Sequence, residues 1–501
     1  MEGQKSVYLD ERLISYSKAG IYPFHMPGHK RQPSGFIDPY RMDITEIDGF
    51  DNLHRAEGIL KEAQQRAAQL YGARESFFLV NGSTCGILAA VCAAVKRGGR
   101  ILMARNSHKA VYHAALIGGI ETDYLYPVIT GNDLQGQITP GQVQDALAGD
   151  GEYQAVIITS PTFEGVISDV AGIAAVCHAK GIPLIVDSAH GAHLGLGHAG
   201  AWGGCPVHAV SAGAWGGFPA HAVSAGADAV IMSLHKTLPS PTQTALLHLA
   251  SERIAPERIA QYLNIFETSS PSYLLMAGMD ACIRMLFEEG EERFGKYRAL
   301  LDGFYRSAAD LRHLHVMRAE DLLPEEAFAW DDSKIVVFSK EDGKTLSQIL
   351  LKRHKLQIEM ASGGYVLGMT GIMDTAEGFD RLSKALHEID AEADCRAGQE
   401  RLWDGPLSPR GFIAQMYAPN DRRLPLWKAQ ELPSEDAAFS EAQGRICADF
   451  IALYPPGIPL IVPGEVISRE FLERITVCTR LGLRMECGSD LSAGRIKIVS
   501  C

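Results

Sequence analysis

Seven short apolar runs between residues 55 and 250 restrict the folds open to this chain more than any other feature. They are Ser76–Val80, Arg100–Ala104, Asp123–Tyr126, Ala155–Ile158, Leu184–Val186, Ala229–Met232 and Ala245–Leu249. Most are apolar almost throughout rather than alternating, and stretches of helical pattern separate them. Strands of that kind must be covered on both faces, so the runs predict an α/β fold built on a mainly parallel, seven-stranded sheet with helices on both faces. Ligands of such sheets bind beyond the carboxyl ends of the strands.

Four chemically promising segments fall at such ends. They are Asn81-Gly82-Ser83-Thr84, Ser107-His108, Asp187 through His190, and Ser233-Leu234-His235-Lys236. Lys236 lies just past one buried strand, and Asp187, 49 residues upstream, ends another. An amine for a Schiff base and a carboxylate for a pyridinium nitrogen are what pyridoxal phosphate requires of a protein. Taken singly, Asp187 is an ordinary strand-end turn residue and Ser83 and Thr84 are ordinary helix-cap residues. Taken with Lys236, the hydroxyls and free N–H groups of Ser83-Thr84 at a helix start read as a phosphate cup. His108 offers an imidazole that would stack on the cofactor ring, the plain alternative being a surface histidine.

At 501 residues the chain exceeds one ordinary domain. We expect an N-terminal arm over 1–54, a large cofactor-binding domain over 55–275 and a small α/β domain over 276–400. A linker over 401–434 and a C-terminal α+β domain over 435–501 complete the expectation. A net charge of −13 argues against nucleic acid or an anionic membrane as partner. The N-terminus shows no apolar leader and no run reaches membrane-spanning length, so the cytoplasm is the expected compartment. Ten scattered cysteines without a Cys-x-x-Cys pair read as reduced, mostly buried thiols.

Residues 199–211 and 212–224 are tandem copies that agree at 11 of 13 positions. One extra copy is too little for a solenoid and reads as a local duplication between the Asp187 and Lys236 strands, without which the spacing would be 36. The seven histidines between 190 and 248 invite a metal reading, but no supported His-x-x-x-His pair occurs among them and no metal is expected. Gly195 to Gly200 matches Gly-x-Gly-x-x-Gly, yet the preceding strand ends too early for a dinucleotide turn.

Seven motifs then carry a resemblance. They are Phe24-His25-Met26-Pro27-Gly28-His29-Lys30, Asn81 to Thr84, Ser107-His108-Lys109, Asp187 to His193, Ser233 to Lys236, Thr268-Ser269-Ser270-Pro271-Ser272-Tyr273, and Tyr454 to Pro459 running on to Pro463-Gly464-Glu465. In this order the chain resembles the ornithine/lysine/arginine decarboxylase family of fold type I pyridoxal-phosphate enzymes, and most the short bacterial arginine decarboxylase-like members without an N-terminal wing.

The resemblance implies a fold type I, transferase-like architecture with pyridoxal 5′-phosphate as cofactor. It makes Lys236 the Schiff-base lysine, Asp187 the pyridinium partner and His108 the stacking residue. Ser83, Thr84 and Ser233 become phosphate ligands, and His190 joins the cofactor-binding set. His235 would touch phosphate or protonate the substrate carbon. Thr268 would serve a neighbouring subunit's cofactor in a homodimer, and Glu465 would face the substrate's distal cation. The expected reaction is decarboxylation of arginine, or else lysine or ornithine, in polyamine biosynthesis. Alternatives are an aminotransferase or lyase on the same scaffold, and more remotely a histidine-rich metal-binding protein. Ser188 and Asn52 depart from the family pattern, each losing a negative charge.

Overall fold

All seven apolar runs are strands of one sheet. The computed structural model describes residues 16–32, 39–149, 151–196, 218–340, 342–395, 411–454, 457–480 and 482–500. In space the strand order is Glu75–Leu79, Ala245–Leu249, Ala229–Ser233, Leu184–Asp187, Ala155–Thr159, Arg100–Ala104, Glu121–Leu125. Ala245–Leu249 runs antiparallel to both its neighbours, and every other pairing is parallel.

Successive residues of a strand point to opposite faces, and here both faces are apolar. Val156, Ile158, Leu184 and Val186 enter one core, whereas Ala155, Ile157 and Ile185 enter the other. The helix Gly82–Ala94 lies on the second face. It comes so close that a Cβ on Gly86 would sit 2.6 Å from Leu79 Cδ1 and 3.2 Å from Ile231. That contact sets where the N-terminus of the helix ends up.

A 35-residue helix, Tyr273–Ser307, leads away from the large domain and runs through the boundary expected at 275/276. The following residues build a four-stranded antiparallel sheet in the order Leu314–Val316, Lys334–Ser339, Tyr365–Met369, Met360–Ser362. The N-terminal arm joins this small domain, because Tyr22–Phe24 pairs in parallel with Leu356–Ile358. A third core contains Phe412, Ile413, Met416, Phe471 and Ile475. It begins with the short helix Phe412–Met416, inside the stretch expected as a linker. The first ten residues of that expected linker, 401–410, lie outside the described residues.

The first copy of the duplicated 13-mer, the start of the second, and Gly197 to Gly200 also lie outside the described residues. The end of the second copy is built into the core. Phe218 is 2 % exposed and stacks on Tyr297, with ring centroids 5.6 Å apart. The seven cysteines whose side chains are described are unpaired, and all but Cys487 are buried. Among the described residues no helix is long and apolar enough to cross a membrane.

Candidate active site

Adjacent strands place Asp187 and Lys236 together. Leu184–Asp187 pairs with Ala229–Ser233, and Asp187 stands opposite Ile231. After Ser233 the chain makes a single helical turn, Leu234–Thr237, which carries Lys236 over the end of the sheet. Lys236 Nζ lies 2.9 Å from His190 Nε2. Burial lowers the lysine pKa, Asp187 and then Glu359 oppose that effect, and Lys334 adds to it. Burial raises the Asp187 carboxyl above its ordinary range, against the attraction of Lys236 and a hydrogen bond from Ala189 N–H at 3.2 Å. His190 is held well below the ordinary histidine value by burial, then by Lys236 and Lys334, so its ring is neutral.

Two further histidines border the lysine. His108 caps the helix Lys109–Gly118, its Nδ1 accepting from Ala110 N–H at 3.2 Å. Burial, helped by Lys236, pushes its pKa down to about 3. His235 is fixed by Nδ1 bonding to the Thr244 carbonyl at 2.9 Å, and burial pushes it down to about 4. The neighbouring Gln243 Nε2 donates to Val80 O, so the 243–244 turn joins His235 to the start of the Ser83-Thr84 helix.

The polar atoms around this cluster fit a phosphorylated cofactor. Buried polar groups almost always find partners. Ser107 Oγ, Ser188 Oγ, Ser233 Oγ, Thr237 Oγ1 and His190 Nδ1 are nevertheless buried with none. Asn81 gives the Gly82–Ala94 helix no side-chain cap, which leaves the N–H groups beside Ser83 and Thr84 free for an anion. Glu267 braces this turn, its Oε1 accepting from Val80 N–H at 2.8 Å. Ser83 is half-buried and Thr84 exposed.

Thr268 is not brought to Lys236 within the chain. It is exposed, and its carbonyl accepts from His54 Nε2 at 2.8 Å. Glu465, expected to face the distal cation of the substrate, is 0 % exposed and paired with Arg105 at 3.3 Å, while Asn420 Nδ2 and Val462 N–H also donate to it, both at 3.0 Å. Asn52 is a capping residue, its Oδ1 accepting from His54 N–H at 2.9 Å.

Sequence reasoning missed several residues that border the site. Gly28 N–H donates to His235 O at 2.7 Å. A Cβ there would fall 2.8 Å from the backbone of Thr237 and Leu238, so only glycine lets the arm lie across the lysine turn. Met26 N–H donates to Glu359 at 2.9 Å, which ties a small-domain carboxylate to the same arm. Lys334, Asp331 and His193 form a buried group beside His190, with Lys334 Nζ 2.8 Å from Asp331 and His193 Nε2 3.0 Å from its other oxygen. Of these, Met26, Gly28 and His193 lay in motifs recognised beforehand. The described histidines of the 190–248 stretch have separate partners: Lys236, Asp331, Ser224 N–H, Thr244 O and Ser76.

Comparisons with known proteins agree with this geometry. The profile "Orn/Lys/Arg decarboxylase, major domain" matches residues 8–299, and "Orn/Lys/Arg decarboxylase, C-terminal domain" matches 428–480. The uncharacterised Bacillus subtilis protein YaaO is 32% identical over 483 residues, 93% of each chain. An arginine decarboxylase of Halalkalibacterium halodurans is 28% identical over 516 residues, covering 100% of this chain and 99% of that one. Among solved structures, the Escherichia coli constitutive lysine decarboxylase superposes with a TM-score of 0.72 at 18% identity, over 98% of this chain and 81% of that one. An alanine–glyoxylate aminotransferase from Nostoc shares the fold at a TM-score of 0.55 and 15% identity, over 77% of this chain and 99% of the other.

Proposed function

This chain belongs to the Orn/Lys/Arg decarboxylase family, and from that premise we propose that it converts arginine to agmatine and carbon dioxide, with lysine or ornithine as the next candidates. The cofactor of the family is pyridoxal 5′-phosphate. The carrying observation is the Asp187, His190 and Lys236 cluster at adjoining strand ends, surrounded by buried hydroxyls without partners. The near full-length match to an arginine decarboxylase supports arginine first.

When bound, the cofactor supplies an electron sink for the pair left at the substrate Cα as the carboxylate departs. Everything else falls to the chain. Lys236 attacks a carbonyl only as a free amine, and burial together with Lys334 favours that form. Asp187 keeps a proton on the ring nitrogen of the cofactor, its charge held in a pocket that water does not reach. His108 would cover the ring, and Ser83, Thr84 and Ser233 would hold the phosphate.

For His235 the tautomer bears on both expected roles. Nδ1 donates its proton to Thr244 O, so Nε2 of the neutral ring carries a lone pair. Touching phosphate as a donor and protonating the substrate carbon both require that Nε2 first take up a proton. The exposed Thr268 serves a second subunit of a homodimer in this reading. The enzyme acts in the cytoplasm, in polyamine biosynthesis.

The test is a parallel assay of arginine, lysine and ornithine with the product identified by mass. Carbon dioxide and agmatine, without a keto acid, are the expected result. A keto acid in place of the amine would mark an aminotransferase and overturn the reading.

A further inference from the structure

A charged pair buried at the start of a strand is a costly way to begin one, because both ions lose their water and well-packed apolar residues would serve the fold at least as well. Lys334 and Asp331 are each 0 % exposed and 2.8 Å apart at the head of Lys334–Ser339. They do not merely satisfy each other. Lys334 Nζ also donates to the backbone carbonyl of His190 at 3.4 Å and to Ser333 Oγ at 3.2 Å. The second oxygen of Asp331 takes His193 Nε2 at 3.0 Å and Ser333 N–H at 3.1 Å. The small domain thus grips both histidines of the loop that follows Asp187.

His190 is the member of that loop that meets Lys236. Its ring is wedged edge-on against Phe163, with centroids 4.7 Å apart, and Nε2 faces the lysine amine at 2.9 Å. We propose that Lys334 is a positioning residue, which through the His190 carbonyl sets the imidazole against Lys236. The groups facing Lys236 are Asp187 from its neighbouring strand, His190, His108, His235, Glu359 from the small domain, and Lys334. Asp187 and Glu359 favour the charged lysine. Lys334 is the cation that opposes them, and its own counter-ion, Asp331, also takes His193. A lysine beside a second cation, in a dry pocket, is a recognised way to obtain a neutral amine near neutral pH.

The inference rests on the reading above for the identity of the cofactor only. Its test is a pH titration of the visible absorbance of the cofactor bound to Lys236 in the full-length holoprotein, comparing wild type with Asp331→Asn/Lys334→Met. Removing both charges avoids stranding either, so the double variant folds where Lys334→Met alone would not. The expected result is retained cofactor and an absorbance midpoint raised by at least about half a pH unit. His193→Gln, which keeps an N–H for Asp331, leaves the midpoint where it is. An unchanged midpoint in the folded double variant overturns the proposal, and so does failure of that variant to fold, since the pair would then serve the fold alone. If wild type binds the cofactor but decarboxylates none of the three amino acids, the proposed reaction fails while the midpoint still decides the role of Lys334.

Discussion

Arg105 and Glu465 form a buried ion pair, 3.3 Å between nitrogen and oxygen, that fastens the C-terminal domain to the turn carrying His108. Arg105 also donates to the carbonyl of Pro459 at 2.8 Å and to Tyr112 Oη at 2.9 Å. Removing one partner of such a pair leaves the other buried and uncompensated, at about 3–5 kcal/mol. Glu465→Gln should therefore lower the melting temperature by several degrees and leave KM for the amino acid nearly unchanged. A raised KM with normal melting would restore Glu465 to the substrate.

Lys236→Ala should abolish turnover and the covalent adduct together. Borohydride treatment followed by intact-mass measurement reads the adduct directly. A reduced cofactor still attached in the variant would move the Schiff base elsewhere.

Asp187→Asn should still bind cofactor on Lys236 but lose about two orders of magnitude or more in kcat, the scale of one positioned proton-holding group. Near-normal turnover would remove Asp187 from the chemistry. The same change should raise the melting point of the cofactor-free protein at neutral pH. The folded carboxyl titrates above its unfolded value, so ionising it opposes folding, and that opposition grows as pH rises through the window between the two values.

Acid should unfold this protein through its histidines. Burial pushes His108 and His248 down to about 3 and His221 and His235 down to about 4. Unfolded histidine binds a proton near 6.5, so the stability that these neutral rings provide is complete above that pH and is lost as pH falls toward the folded values. Each contributes a slope of about 1.4 kcal/mol per pH unit in that window. Melting temperature should be level from pH 7 to 9 in this respect and drop steeply below about 6.5. A flat curve down to pH 5 would contradict the burial of these rings.

Gly28→Ala should weaken cofactor binding. The new methyl meets backbone at 2.8 Å, which cannot turn aside as a side chain would, and overpacking of this kind costs about 1–3 kcal/mol. Displacing the Lys236 turn by even a fraction of an ångström should raise the cofactor Kd about tenfold or more, measurable by absorbance on titrating apoprotein. Unchanged affinity would mean that the arm and the turn move together.

Much of this structure could be read from the chain, and what could not has a physical cause. The seven strands were legible because strands buried on both faces have almost no polar positions. Lys236, Asp187 and His108 were legible because strand ends are where such sheets hold ligands. The antiparallel direction of Ala245–Leu249 leaves no trace in a run that is apolar apart from His248. Lys334 was not singled out, since nothing local reports that it meets the carbonyl of His190, 144 residues earlier. The partner of Glu465, Arg105, was not legible for the same reason, as it lies 360 residues away.

The duplicated segment can be tested where it is built into the core. Phe218→Cys writes the corresponding residue of the first copy, Cys205, into the stack on Tyr297. Loss of a ring this deeply buried should cost about 3–5 kcal/mol. A variant with unchanged stability would mean that either copy fits the same place.

Asp187 ends one strand and Lys236 lies on the turn that follows its neighbour, yet the two residues are 49 apart in the chain. Because the two strands hold each other, the length of chain between them is free to drift. Growth from 36 to 49 residues adds only about 0.3 kcal/mol of closure entropy, since that cost rises with the logarithm of length. A replication slip that repeats 13 codons at this point is therefore nearly invisible to selection on the cofactor site, whereas the same slip inside either strand would shift every side chain to the wrong face.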